Sequence, residues 1–305
     1  MKTVGIRTTK STVHLFGMKL DALRMPDAVG QLLDWVQNRD GNCHYVVTPN
    51  VDHAVMFQKH VGLQRAYADA SLVLADGFPV LAAAKLLHRP IPERVPGSDL
   101  VPALFETVDA EARAYVLDPS PLRVFLLGAA PGVAERAAQN IEQQWPAVTV
   151  VGTYSPPLGF EKNPTENAAI LRHIAQARPD VLIIGLGAPK QELWVHAHRS
   201  QIAAPVALCV GATIDFLAGE KPRAPAWMRR VGLEWLHRLL GEPRRLAKRY
   251  LRDAWIFPQL VWREWAAGRR AVSFDPLKST LHRVETAEVP EFVDQAGLWD
   301  IANSR

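Results

Sequence analysis

Polar residues follow two short apolar runs in the first third of the sequence. Residues 45–47 run into Thr48-Pro49-Asn50 and residues 72–74 run into Asp76-Gly77, and a helical pattern follows each turn. In an open α/β sheet, ligands bind beyond the carboxyl ends of the strands, so we expect Thr48, Asn50 and Asp76 to project into one site. A carboxylate positioned in such a site can act as a general base.

These residue types also have ordinary structural roles. Asp76-Gly77 is a common turn pair, and Thr48 and Asn50 are common helix caps. Arg94 stands beside Glu93 and, taken alone, would be a solvated surface charge. A functional interpretation of any one of these residues therefore depends on the motifs around it.

Two glycine-containing turns come later in the chain. Residues 123–127 form a strand pattern that ends in Gly128, and a second strand pattern continues through Gly185 and Gly187 to Lys190. A helix N-terminus that carries a lysine is a natural site for a diphosphate. We therefore expect these glycines and the lysine to bind the phosphate or sugar of a nucleotide. A full G-x-G-x-x-G pattern is missing, which counts against a dinucleotide cofactor.

Strand and helix patterns alternate through the first two thirds of the chain. The last strand pattern, residues 206–210, is followed by Asp215, which adds a carboxylate at the same edge. The alternation predicts an α/β fold with a Rossmann-like, doubly wound and mostly parallel sheet, in which five strands deliver polar groups to one rim. Residues 109–122 contain Pro119 and Pro121 and are predicted to be a loop or an insertion.

Residues 223–270 are basic and rich in tryptophan. They hold twelve basic and four acidic residues, a net charge of +8 that leaves the rest of the chain at −4. Such a segment is expected to face an anionic membrane surface or a nucleic acid, although its tryptophans would equally suit a core. The turn-like Gly241-Glu242-Pro243 predicts two helices here. On a single helix, Arg238, Arg245 and Lys248 would share one face.

The composition is that of a globular chain. With 305 residues, 48% of them hydrophobic and 22% charged, the sequence can form one large α/β domain with an appendage, or two modest domains. Neither a secretory signal nor an apolar run of spanning length is present, so we expect a cytosolic protein. Cys43 and Cys209 lie beside or within apolar runs and are expected to be reduced and buried.

Several longer motifs occur in a fixed order along the chain. They are Thr48-Pro49-Asn50, Leu74-Ala75-Asp76-Gly77, Pro92-Glu93-Arg94-Val95 with Gly97-Ser98-Asp99, the runs 185–192 and 211–219, and Arg223-Ala224-Pro225 with Gly232-Leu233-Glu234-Trp235. Together they resemble the WecG/TagA/CpsF glycosyltransferases, over about residues 14–268. A series of motifs in matching order is far more specific than a lone glycine loop.

The resemblance implies an enzyme that moves a sugar from a UDP donor to a polyprenyl-diphosphate-linked sugar at the cytoplasmic membrane face. It implies that Asp76 is the base that takes the proton from the acceptor hydroxyl in an inverting transfer. The resemblance further implies that Thr48 and Asn50 contact the sugar and that Arg94 and Gln191 contact the donor or the acceptor. It also implies that Asp215 lies near the uridine ribose, and that Arg238, Arg245 and Lys248 lie near the diphosphate.

Neither a metal site nor a cofactor is expected. The chain has no D-x-D carboxylate pair and its histidines lack metal-ligand partners, so arginines would replace a metal ion at the departing UDP. Lys248 stands where the family more often has an arginine, and a lysine lacks the bidentate fork that binds phosphate. This departure weakens the diphosphate role of Lys248.

The donor stays open among N-acetylmannosamine, its uronic acid and glucose. The alternative to an enzyme is a nonenzymatic nucleotide- or nucleic-acid-binding protein that uses residues 223–270, although no nucleic-acid motif is present. A nicotinamide-dependent oxidoreductase is disfavoured by the missing fingerprint. We predict a catalytic domain over residues 1–222, a membrane- and acceptor-binding appendage over 223–270 that can also pair subunits, and a partly disordered acidic tail over 271–305.

Overall fold

The computed structural model describes residues 11–114 and 120–273. In this part of the chain, strands β1 and β2 form an antiparallel hairpin, and six strands form a parallel sheet in the order β4-β3-β8-β7-β5-β6. The fold is therefore the Rossmann-like α/β fold that the sequence predicts. The strands are β1 Thr12–Leu15, β2 Met18–Asp21, β3 His44–Val47, β4 Leu72–Val73, β5 Leu122–Gly128, β6 Val148–Tyr154, β7 Val181–Gly185 and β8 Val206–Cys209.

One helix extends into a segment that the sequence pattern predicts as a loop. Helix α5 runs to Ala114, so residues 109–114, predicted as loop, are helical. Asp109 and Arg113 pair across one turn at 2.5 Å, which supports that extension, and residues 115–119 lie outside the described residues. The helices are α1 Met25–Asn38, α2 Val51–Phe57, α3 Val61–Ala68, α4 Phe78–Leu86, α5 Gly97–Ala114, α6 Val133–Gln144, a 3-10 helix Phe160–Lys162, α7 Pro164–Ala177, α8 Lys190–His198, α9 Thr213–Leu217, α10 Ala226–Arg230, α11 Glu234–Gly241 and α12 Pro243–Ser273.

The parallel sheet is buried on both faces because its strands are nearly continuous apolar runs. Each face of the sheet packs into its own hydrophobic core. Neighbouring residues of a strand belong to different cores, as Val46 and Val47 do in β3. Helices α2, α3, α4, α7 and α8 cover one face, and α1, α5, α6 and α9 cover the other. Since α2 follows β3 and α9 follows the neighbouring strand β8, the two connections diverge and leave a crevice at the carboxyl edge.

The β1–β2 hairpin is not apparent from the sequence pattern, which indicates a single strand at residues 14–16. Its two-residue turn consists of Phe16 and Gly17, with φ values of 54° and 81°. Positive φ at both positions is typical of a type I′ turn, but a phenylalanine there is not a recognisable turn signal. The hairpin is tied to the sheet by Asp21, which accepts a hydrogen bond from the backbone N–H of Val73 at 2.8 Å.

The C-terminal segment packs on the α/β core. Helix α11 ends at Gly241 and α12 begins at Pro243, which confirms the predicted division into two helices. The compact unit that holds the sheet extends to Glu264, and a second unit begins at the next residue. Glu264 accepts from the backbone N–H of Phe16 at 2.7 Å, so α12 contacts the hairpin turn.

The domain boundary at residues 222 and 223 stays a prediction, and residues 274–305 of the predicted acidic tail lie outside the described residues. No helix in the described part of the chain combines the length and apolarity needed to cross a membrane.

Candidate active site

Two loops at the carboxyl ends of β3 and β4 lie against each other. The backbone N–H of Asp76 donates to the carbonyl of Pro49 at 2.8 Å, which ties the loops together. Gly77 has a φ of 106°, a value that favours glycine, and a Cβ there would lie 3.6 Å from the Cβ of Asn50. Asn50 and Asp76 consequently line the same cavity.

This cavity has a volume of about 470 Å³, within the range of small-molecule sites. Its floor is formed by the loops after β3 and β4 and by the start of α4. The wall and roof come from the segments around residue 94 and from α11 and α12, so the predicted catalytic and appendage segments meet in one site. Its polar and aromatic lining residues include Asn50, Asp52, Asp76, Arg94, Ser98, Arg229, Glu234, Trp235, Arg238, Arg249, Tyr250, Asp253 and Phe257.

Arg94 lies at the centre of an ion cluster in the wall of the cavity. Its guanidinium nitrogens are 3.7 Å from Asp76 Oδ1, 3.4 Å from Asp99 Oδ2 and 3.5 Å from Glu234 Oε2. Its side chain is 21% exposed, so the alternative of a solvated surface charge does not apply. One guanidinium thus bridges carboxylates from three separate segments.

Three further arginines surround these carboxylates. Arg223 donates to Asp99, Arg229 lies 3.4 Å from Asp99 Oδ1, and Arg238 lies 3.0 Å from Glu234 Oε1. The Nε atoms of the three arginines are buried and have no acceptor among the described residues. These Nε atoms are enclosed, but the three side chains keep 27%, 30% and 37% of their surface exposed, so their guanidinium groups can still meet the phosphate oxygens of a ligand.

Asp76 has an electrostatic environment suited to proton transfer. Burial raises the pKa of Asp76 to about 6, although the positive charges of Arg238 and Arg94 oppose the rise, and the negative charge of Glu234 adds to it. At neutral pH the group is mostly ionised but basic enough to accept a proton. With 26% of its side chain exposed, it can be reached from the cavity.

Helix α12 is attached to the first turn of α2 through Asp52. This carboxylate accepts from Arg252 and lies 3.5 Å from Arg249 Nη1. Arg252 also contacts the buried carboxylate of Asp253 at 2.8 Å. Ion pairs rather than apolar contacts alone therefore hold the roof of the cavity over its floor.

Asn50 has both of the roles that the sequence suggests. It lines the cavity, and it caps α2 by accepting from the backbone N–H groups of Asp52 at 3.0 Å and His53 at 3.4 Å. The functional and structural interpretations of Asn50 are thus compatible, because its oxygen serves the helix while its amide nitrogen has no acceptor among the described residues.

Three predicted site residues lie at the same sheet edge but outside the cavity lining. The hydroxyl of Thr48 donates to the carbonyl of Cys209 at 3.4 Å. Gln191 is 3% exposed and accepts from the backbone N–H of Gly211 at 3.2 Å. Asp215 lies 3.9 Å from Lys221 Nζ. The contacts of Thr48 and Gln191 thus connect neighbouring segments at the carboxyl edge, whereas the contact of Asp215 stays within the segment that follows β8.

The predicted glycine sites lie after β5 and β7. Gly128 has a φ of 120°, and a Cβ there would lie 2.5 Å from the carbonyl oxygen of Gly185. Gly187 has a φ of 78° with open space around it. Lys190, the first residue of α8, has its Nζ 3.9 Å from Glu161 Oε1. None of these four residues lines the cavity.

The remaining predicted basic residues lie on α12. Lys248 is exposed and does not line the cavity, and the side chain of Arg245 lies outside the described residues. Sequence reasoning assigns no role to Asp99, Arg223 or Glu234, although each stands within a motif. The sequence signal that could have identified these residues is the motif in which each of them stands. Their pairing could not be predicted in this way, because it depends on contacts between residues as far apart as 99 and 223.

Neither cysteine is part of the site. Cys209 is buried as predicted, whereas Cys43 is half-buried, and both are free thiols. Burial raises the pKa of Cys43 to about 12, so it is not a reactive thiolate. In the described ranges, no group of three or more His, Cys, Asp or Glu side chains could hold a metal ion.

Comparisons with known proteins identify the same family as the motifs do. The family model described as "Glycosyl transferase WecG/TagA/CpsF family" matches residues 13–271. Two similar relatives, from Staphylococcus aureus strains MW2 and NCTC 8325 / PS 47, are each 27% identical over 246 residues, which cover 81% of this chain and 91% of the relative. Both are named N-acetylglucosaminyldiphosphoundecaprenol N-acetyl-beta-D-mannosaminyltransferase.

Proposed function

Because the chain belongs to the WecG/TagA/CpsF glycosyltransferase family, we propose that it transfers a sugar from a UDP-sugar to a polyprenyl-diphosphate-linked saccharide in cell-envelope polysaccharide assembly. The observation that carries this proposal is Asp76, a carboxylate of raised pKa in a cavity lined by arginines. The names of the staphylococcal relatives favour N-acetylmannosamine as the sugar and an N-acetylglucosaminyl-diphosphate lipid as the acceptor.

In this mechanism Asp76 takes the proton from the acceptor hydroxyl. The hydroxyl oxygen forms a bond to the anomeric carbon, and the bond from that carbon to the β-phosphate oxygen of UDP breaks. UDP leaves with the electron pair, and attack from the opposite side inverts the anomeric centre. A positioned base of this kind contributes about 10²- to 10⁴-fold to the rate.

The arginine cluster stabilises the charge that develops on UDP. Arg94, Arg229 and Arg238 are held near Asp76 by Asp99 and Glu234, so their positive charges are in place before substrate arrives. Preorganised cations lower the energy of a departing anion without a metal ion. Metal independence is accordingly part of the proposal.

Arg245 and Lys248 are proposed to reach the acceptor diphosphate.

The rest of the carboxyl edge is proposed to bind the donor. Thr48 and Asn50 would contact the sugar, Gln191 the donor or acceptor, and Asp215 the ribose. The backbone around the glycine turns would bind the diphosphate, assisted by a lysine at a helix N-terminus. The residues of that turn region are Gly128, Gly185, Gly187 and Lys190.

The C-terminal segment is proposed to bind the cytoplasmic face of the membrane. It exposes Trp227, Leu251, Trp255 and Trp262, each more than 60% accessible, beside exposed arginines such as Arg263. Aromatic and basic side chains on one segment are suited to anionic headgroups. Vesicles that contain anionic lipid should bind the protein, neutral vesicles should bind it less, and Trp255→Ala should weaken binding to both.

The decisive experiment is single-turnover transfer to a lipid-diphosphate-N-acetylglucosamine acceptor. UDP-N-acetylmannosamine, its uronic acid form and UDP-glucose are offered in parallel, with and without EDTA. We expect transfer from UDP-N-acetylmannosamine that survives EDTA. Transfer that EDTA abolishes would contradict the metal-free mechanism, and transfer from another donor would correct the sugar.

The same assay tests the nonenzymatic alternative. Tight UDP binding without transfer from any donor, or salt-sensitive binding of nucleic acid, would favour a binding protein. The position of the arginines favours the enzyme, because Arg94, Arg229 and Arg238 line the cavity that contains Asp76. Self-association in the absence of membrane is a separate expectation, measured by sedimentation.

A further inference from the structure

A buried polar chain runs from α8 to the cavity, and two of its members, Glu192 and His53, have no part in the mechanism above. It begins at Glu192, which is fully buried, passes through His53, which is 7% exposed, and ends at Asn50. His53 Nε2 lies 3.2 Å from Glu192 Oε1, and His53 Nδ1 lies 2.9 Å from Asn50 Oδ1. Elements that follow β7 and β3 are thus connected beneath the site.

The hydrogen-bond geometry determines which atoms carry protons. The Asn50 atom near His53 is the oxygen, because it also accepts from the backbone N–H groups of Asp52 and His53. A hydrogen on His53 Nδ1 makes the 2.9 Å contact a hydrogen bond, whereas a bare Nδ1 would place two acceptors against each other there, so this contact favours a hydrogen on Nδ1. The backbone N–H of Asn50 also approaches Nδ1, but at the longer distance of 3.4 Å.

The other ring nitrogen of His53, Nε2, faces the carboxylate of Glu192, so a proton lies between these two groups as well. With a hydrogen on Nδ1, His53 is either an imidazolium beside ionised Glu192 or a neutral ring whose Nε2 accepts from protonated Glu192. Burial alone lowers the pKa of His53, but its hydrogen bond to Glu192 and the charges of Glu192, Asp52 and Asp76 outweigh burial and raise it. The nearby Tyr67 adds no charge, because burial raises its pKa well above the usual value.

The environment of Glu192 supports a positioning role better than a stabilising one. Gln191 donates to Glu192 Oε1 at 2.8 Å, but Oε2 is buried with no partner among the described residues. A buried ionic pair with an unsatisfied oxygen adds little to stability compared with apolar packing. What the pair does provide is a fixed donor at His53 Nδ1.

We infer that His53 and Glu192 are positioning residues that hold the Asn50 side chain with its oxygen toward the protein and its NH₂ group toward the substrate. Three donors occupy the Asn50 oxygen, and its nitrogen has no acceptor among the described residues. Asn50 lies beside Asp76 in the cavity lining, so this NH₂ group can donate to a hydroxyl of the donor sugar or acceptor. That last role rests on the proposed glycosyl transfer.

The protonation state is tested first, by ¹⁵N–¹H spectra of substrate-free protein labelled at histidine and asparagine. We expect a directly bonded proton on His53 Nδ1 at pH 7 to 8, with the signal identified by its loss in His53→Gln. We also expect the Asn50 side-chain amide signals to shift in His53→Gln but not in His196→Gln, a control on α8. A bare Nδ1 that accepts from the backbone of Asn50 would overturn the inference.

The coupling to Asn50 is tested next, by a double-mutant cycle in the transfer assay. His53→Gln should lower kcat about tenfold in the natural background and have almost no further effect in Asn50→Ala, because contacting residues are not additive. Equal losses in both backgrounds would mean that His53 acts only on the fold. Glu192→Gln, which still lets neutral His53 donate from Nδ1, should cost less than His53→Gln.

The two tests separate this inference from the proposed function. If no donor supports transfer, the glycosyltransferase proposal fails, and the spectra of substrate-free protein still decide whether His53 holds Asn50. If His53→Gln does not fold, the spectra of wild type and Glu192→Gln decide the same point. Melting temperatures of all variants identify any loss that comes from unfolding.

Discussion

The loops after β3 and β4 and the loops after β5 and β7 lie at the same edge of the sheet but are built from different groups. In the first region, ionised side chains such as Asp76 and Arg94 surround an open cavity. In the second, backbone meets backbone at Gly128 and Gly185, with no room for a side chain between them.

This difference indicates that the two regions have different functions. Charged side chains around an open volume can change protonation and stabilise charge in a reacting substrate. Close-packed glycines bring the strands together and can offer a ligand only backbone groups. Substitutions in the first region should therefore change turnover, and substitutions in the second should change stability or donor binding.

The largest effect is expected for Asp76→Asn. Transfer should slow by about 10²- to 10⁴-fold because the base is lost, with UDP binding unchanged. The melting temperature at pH 7.5 should stay equal or rise, since folding raises the pKa of Asp76 to about 6 and thus disfavours its ionised form above that pH. Asp34→Asn, on the exposed side of α1, is the control. If Asp76→Asn kept wild-type turnover, the prediction that substitutions in the loops after β3 and β4 change turnover would be wrong.

Gly128→Ala should mainly destabilise the fold. A Cβ at 2.5 Å from the Gly185 oxygen forces the backbone apart, and a φ of 120° is strained for alanine, so we expect a loss of about 3 kcal/mol or more in unfolding free energy. Gly187→Ala, with a φ of 78° and open space, should cost about 1 to 2 kcal/mol. Equal losses in urea denaturation would show that the close contact at Gly128 is not important.

The pH dependence of transfer should follow Asp76. Protonation removes the base, so kcat should fall about tenfold per unit below pH 6 and level off above it. Glu234→Gln removes a negative charge that raises the pKa of Asp76, so the acid limb should move to lower pH. A profile that is flat from pH 5 to 8 would contradict the role of Asp76.

The smallest effect is expected for Lys190→Ala in the glycine region. Loss of a partly exposed cation near the proposed diphosphate should raise KM for the donor about three- to tenfold and leave kcat unchanged. Lys162→Ala, an exposed lysine of the neighbouring 3-10 helix, should change neither. A drop in kcat for Lys190→Ala would place transition-state chemistry in both regions.

The elements of the fold were largely predictable because their signals are local. Apolar runs such as that of β7 and the glycine turn after it place a strand and its end within a residue or so. The β1–β2 hairpin was not predictable, since its turn puts Phe16 at positive φ without an Asn-Gly or Asp-Gly signal. The loop predicted from residue 109 was partly wrong, because helix-forming residues and an ion pair extend α5.

The site was predictable in part. Residues that immediately follow strands, such as Asn50 and Asp76, share an edge by topology and are found together in the cavity. Thr48 follows a strand as well, but its side chain turns to the carbonyl of Cys209. Orientation of this kind depends on the neighbouring loop, which a strand pattern does not describe.

The order of residues established the fold class, the family and the set of loops at the sheet edge, because each of these is encoded in short stretches of chain. What required the folded molecule is the partnership of distant residues: Arg94 with Glu234, 140 positions away, and Arg252 with Asp52, 200 positions away. The raised pKa of Asp76 belongs to the second group, because burial and neighbouring charge act through space and not along the chain.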